Sequence, residues 1–167
     1  QEGIFCLDTC GLVHRRLAVI DVAQGKQPMQ AARNGITATI VYNGEIYNCP
    51  ELRHQLQQEG AVFQTTCDTE VVLQAYLHWG KACVQKLNGI FAFAIWEAET
   101  KRLFLARDRI GVKPLFYAEV PDGLVFASEL KALLLHPQVP HEIDATGIAE
   151  LLLMGPGRTP GCGVFRT

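Results

Sequence analysis

From residue 89 to residue 127 the sequence reads as a run of short strands, with their two-residue period, and not as an amphipathic helix. Four runs carry the pattern, at 90–96, 103–107, 115–118 and 124–127. Turn-forming stretches at 97–101 and 111–113, and Pro121-Asp122-Gly123, separate them. Short strands following one another through short turns predict an antiparallel sheet.

The chain before this point alternates between the two periods. Residues 11–21 read as a buried or half-buried strand, 23–35 as polar and turn-rich, and the β-branched stretch 36–42 as another strand. Asn43-Gly44 follows at once, a dipeptide suited to a tight turn. Asn48 is placed to cap a helix, with Glu51 three residues on as in a capping box and Gly60 as the stop. A second helix is expected from Asp68 to Gly80, since Val71, Val72, Ala75, Tyr76 and Trp79 recur at helical spacing. Short helices are expected at 129–135 and 145–154, and the glycine- and proline-rich 155–163 as a flexible exit.

Strands and helices in separate runs indicate an α+β fold of sheets packed together and covered by helices. At 167 residues the chain fits one domain with a substantial core. Its 49% apolar content, 19% charged residues and net charge of −2 leave no electrostatic footprint for nucleic acid. No apolar run reaches the ~18 residues of a membrane span, and Gln1-Glu2-Gly3 does not open like a signal peptide. The six cysteines include no Cys-x-x-Cys pair. No metal is expected, and the thiols read as reduced, structural groups of a cytoplasmic protein.

Polar residues concentrate in three segments: HRRLAVID at 14–21, VYNGEIYN at 41–48 and TTCDTE at 65–70. In this order and spacing they resemble the glutamine-hydrolysing domain of the asparagine synthetases, a class II glutamine amidotransferase with an N-terminal-nucleophile (Ntn) hydrolase fold. Downstream, FAFAIW at 91–96, ARDRIGVKPL at 106–115 and ASELKAL at 127–133 resemble the same family. Any one segment is weak; six in register are specific, and they cover the chain to about residue 154.

The resemblance implies a four-layer α/β/β/α sandwich of mainly antiparallel sheets, with the family's first strand absent from the chain. It places an incomplete amidotransferase domain at 1–154 and, at 155–167, a linker towards an absent ATP-dependent synthetase domain. L-glutamine is the implied substrate and that synthetase domain of the same polypeptide the implied partner, with room for a homodimer. No cofactor is expected in these residues. ATP and Mg are implied only for the absent domain, because no Ser-Gly-Gly-x-Asp-Ser pyrophosphate loop or P-loop occurs.

By the same resemblance Arg16 takes the α-carboxylate of glutamine and Asp68 its ammonium. Leu17, Ala18, Val19 and Ile20 line the pocket beside Arg16, and Glu45 contacts the amino end or orients its neighbours. The chemistry suits these residue types. An arginine fork matches a carboxylate, and charged hydrogen bonds contribute on the order of 1.5–3 kcal/mol each. Hydrolysis develops a tetrahedral oxyanion, and the Asn43 side-chain amide and Gly44 N–H would stabilise it. Read singly, Arg16 and Asp68 would be a surface ion pair and Asn43-Gly44 a hairpin turn. Arg107, Asp108 and Lys113 read as a structural ion-pair cluster, and Phe91, Phe93 and Trp96 as core.

In that family the nucleophile is the cysteine at the mature N-terminus, whose own α-amine, with a pKa near ~8, acts as base. Residue 1 here is glutamine, and neither Cys6 nor Cys10 stands where that nucleophile belongs, so the chain as written is expected to be inactive. The acceptor expected for the ammonia is an aspartate-like carboxylate. Alternatives are a domain serving another acceptor, or a degenerate, non-catalytic interaction module.

Overall fold

The computed structural model describes residues 2–7, 9–15, 25–155 and 163–165, in two compact units, Gln1–Lys113 and Pro114–Thr167. The sequence reading draws one domain over 1–154, and the two units are described each by itself.

The first unit opens with a hairpin of β1 (Glu2–Leu7) and β2 (Cys10–Arg15). Its main sheet has four antiparallel strands in the order β3 (Met29–Arg33), β4 (Ile36–Ile46), β5 (Gly89–Glu97) and β6 (Arg102–Arg107). The turn-rich reading of 23–35 misses β3, whose alanines and polar residues carry little strand signal. Asn34 and Gly35 make that strand: both have positive φ, 50° and 79°, as a two-residue hairpin turn of the primed type needs, and Arg33 faces Ile36 across them.

Helices α1 (Cys49–Gln58) and α2 (Asp68–Trp79) cover one face of this sheet. Ile40, Tyr42, Phe91, Phe93 and Ile95 from the strands pack with Leu52, Leu56, Val72, Ala75 and Tyr76 from the helices in one buried cluster. Phe91 and Phe93 of β5 are therefore core, as expected, and Trp96 is buried as well. α2 ends at Gly80 with φ 57°, where expected, and a 3-10 turn over Gly80–Gln85 follows. The expected capping box does not form. Asn48 holds the N-cap position, but its side chain donates to Lys86 O and accepts from Asn88 N, both at 3.0 Å, tying the exit of β4 to the approach of β5.

The second unit holds a hairpin of β7 (Phe116–Val120) and β8 (Gly123–Ala127), a short α3 (Leu130–Leu134) and α4 (Ala145–Met154). Asp144 caps α4 by accepting from the amides of Thr146 and Gly147. Every described ladder is antiparallel, and the fold is α+β with layered sheets and helices, as read from the sequence. No helix among the described residues is long and apolar enough to cross a membrane.

Candidate functional site

The motif residues converge on the last third of β4. Opposite it, Phe91 directs its backbone towards the end of β6: Asp108 N–H donates to Phe91 O at 2.7 Å, and Phe91 N–H to Asp108 Oδ2 at 3.3 Å. Gly44 is the partner of Phe91 across β4 and β5, so these two exchange no hydrogen bonds, and the N–H of Gly44 points to the far edge of β4. β3 pairs with β4 only up to Met29–Ile40, so among the described residues no strand meets that edge at Gly44.

Side chains occupy the edge at Tyr42 instead. The carboxamide of Gln27 accepts from Tyr42 N–H at 2.6 Å and donates to Tyr42 O at 3.1 Å, which extends the ladder past the end of β3. Its nitrogen is also 3.2 Å from Thr69 Oγ1, at the start of α2. His14 Nε2, on β2, lies 3.2 Å from the same Tyr42 carbonyl. Gln27 is buried, and so are Tyr42 and Thr69.

Asp68 opens α2, where a carboxylate is favoured by the helix dipole. Its Oδ2 accepts from the Tyr42 hydroxyl at 2.7 Å. Burial first, and then the charge of Asp68, raise the Tyr42 pKa above the ordinary phenol value, with smaller contributions from Cys49 and Glu45. Glu45 and Asp68 thus share one electrostatic neighbourhood, a negative pole at the end of β4. The loop leading into Asp68 is held from both helices. Glu70 accepts from the amides of Gln64 and Thr65 and from Thr65 Oγ1, at 2.6–2.8 Å. Arg53 donates to Thr65 O and Cys67 O and stacks over Phe63.

Of the residues expected to form the site, Asp68, Asn43, Gly44 and Glu45 lie on or beside this strand end. Arg16, Leu17, Ala18, Val19 and Ile20 lie outside the described residues; Arg15, which ends β2, immediately precedes them. One expectation is corrected. Asn43-Gly44 is no turn, because β4 runs straight through it to Ile46, and Gly44 is absent from the glycines with positive φ. Glycine is needed there for closeness: a Cβ would stand 2.3 Å from Ile90 O and 2.7 Å from Phe91 Cα. Asn43 itself is exposed.

The sequence of this site has close counterparts. The family described as "Glutamine amidotransferase domain" matches residues 1–167. The chain belongs to that family. Asparagine synthetase [glutamine-hydrolyzing] 3 of Bacillus subtilis is 50% identical over 153 residues, covering 92% of this chain and 25% of its own. Asparagine synthetase [glutamine-hydrolyzing] 1 of the same organism is 41% identical, over 91% and 24%. The chain therefore spans about a quarter of the length of these relatives. Among solved structures, the glutamine phosphoribosylpyrophosphate amidotransferase of B. subtilis matches with a TM-score of 0.63 at 28% identity, over 74% of this chain and 28% of its own. The fold is thus the Ntn-hydrolase type of the amidotransferases.

Within this amidotransferase domain, Gln27, Tyr42, Arg53 and Glu70 were not singled out by sequence reasoning. The signal available for Glu70 was its place inside TTCDTE; Gln27 gave none, since its partners are distant in sequence. The groove of about 710 Å³ between β3, the 60–65 loop and the end of α2 is separate: Arg33, Glu70 and His78 line it, and Tyr42, Asn43, Gly44 and Asp68 do not. Arg107 and Asp108 have a structural role, but not as an ion-pair cluster. Arg107 donates to the carbonyls of Lys113 and Gly111, and Asp108 accepts from the amides of Val112 and Lys113 at 2.9 and 3.0 Å. Among the described residues no group of three or more His, Cys, Asp or Glu could hold a metal ion.

Proposed function

We propose that this domain binds L-glutamine at the edge of β4 and serves as the glutaminase part of an asparagine synthetase-like enzyme in the cytoplasm. The observation that carries the reading is the Tyr42–Asp68 bond. It ties an acidic anchor, with no cationic partner among the described residues, to the strand whose next two residues are Asn43 and Gly44. Asp68 takes the ammonium with Glu45 nearby. Arg16, one peptide bond beyond β2, takes the α-carboxylate, with Leu17, Ala18, Val19 and Ile20 beside it. The carboxamide then meets the Asn43 amide and the outward Gly44 N–H, donors for the oxyanion.

Attack on that carboxamide needs a thiolate. Three of the described cysteines are poor candidates: burial first of all pushes Cys49 up to about 11 and Cys83 up to about 12, and it raises Cys10 as well. The reading assigns attack to an N-terminal cysteine of the parent polypeptide and release of ammonia to an ATP-activated carboxylate acceptor, aspartate, in a second domain. ATP and Mg belong to that domain. The names and lengths of the relatives support this assignment.

Calorimetry and an ammonia assay test it together. The 167-residue chain should bind L-glutamine and release no ammonia, and a polypeptide opening with the terminal cysteine should release it. Arg16→Ala and Asp68→Asn should each weaken binding by at least about tenfold, the loss of one charge-assisted hydrogen bond. Unchanged affinity in both variants would refute the site.

A further inference from the structure

We propose that Tyr42 is a positioning residue: its hydroxyl fixes which oxygen of Asp68 faces the ligand, and so sets the preference of the site for an α-amino acid over its des-amino counterpart. The proposal rests on the glutamine reading above and adds a residue to it.

The Tyr42 hydroxyl donates to Asp68 Oδ2 at 2.7 Å, while Oδ1 receives no hydrogen bond among the described residues. The raised pKa of the phenol keeps its proton in place, so the hydroxyl is always the donor in this pair. One carboxylate oxygen is thereby occupied and the other left with its lone pairs for an ammonium group. Without the hydroxyl, Asp68 would turn freely about its side-chain torsions, and a ligand would have to order it on binding.

The strand and the helix do not depend on this bond to stay together. Gln27 bridges the Tyr42 backbone to Thr69, the residue after Asp68, so the helix start is linked to β4 by a second route. Tyr42 is 5% exposed and packed in the core, where a phenylalanine ring keeps the same apolar shape. Removing the hydroxyl should therefore free the carboxylate and leave the fold intact.

The test compares the full 167-residue chain with Tyr42→Phe by ligand-observed NMR titration of L-glutamine and of 4-carbamoylbutanoate, which lacks only the α-ammonium. Tyr42→Phe should weaken glutamine binding on the order of tenfold and leave the analogue unchanged. Equal losses for both ligands would assign Tyr42 a merely structural role and overturn the proposal, as would no loss for either. In an Asp68→Asn background the same substitution should change nothing further; an additive loss also overturns it. Failure of the unaltered chain to bind glutamine at all would instead remove the reading on which the proposal stands.

Discussion

Of the three Asn-Gly dipeptides in this chain, the first two stand nine residues apart, and their roles are opposite. Asn34-Gly35 turns the chain at positive φ, whereas Asn43-Gly44 continues a strand. The dipeptide by itself does not separate them. The difference is tertiary, since β5 approaches Gly44 so closely that any side chain would collide with its backbone. Sequence reasoning could place both residues in the candidate site, through the motif that holds them, and still misjudge their conformation. Gly44→Ala tests the account directly. With main chain in the way, the substitution should destabilise the domain by about 1–3 kcal/mol. A thermal midpoint equal to that of the parent would show that the strands can move apart at little cost.

At the scale of elements, the helices were legible almost to the residue, most clearly α2, which pairs a helical period with a glycine at its end. α2 stops at Gly80, and α4 starts after Asp144. The hairpin strand β3 was illegible, since only its turn and its partner β4 make it a strand. The loop at 108–113 shows how an isolated carboxylate can organise an element. Against the upward push of burial, the amides of Lys113, Val112, Phe91 and Gly111 together lower the Asp108 pKa to about 2 from 3.8. A carboxyl group with a pKa lowered by folding contributes stability above its unfolded value, and the contribution fades as pH falls towards the folded value. The domain should therefore lose stability between about pH 4 and about pH 2 more steeply than Asp108→Asn, whose neutral amide does not titrate. Parallel pH dependence of the two urea midpoints would contradict this.

At the scale of the molecule, the α+β class and the antiparallel order were readable from the change of period. The candidate site was half legible. Asn43, Gly44, Glu45 and Asp68 announce themselves through motifs, but Gln27 and Arg53 act through contacts between residues far apart in the chain. The paired glycines of β4 and β5 carry one more implication. Gly44 rests against Ile90 and Phe91, and Gly89 against Glu45 and Ile46, main chain upon main chain. The direction of the Gly44 amide is then insulated from the packing of the side chains beneath, so stability and recognition can vary independently. Phe93→Leu, in the centre of the core, should lower the melting temperature by several degrees, from a loss of about 1–3 kcal/mol. The dissociation constant for glutamine, measured well below that temperature, should stay where it was; a parallel fall in affinity would mean that the core and the binding edge are mechanically one.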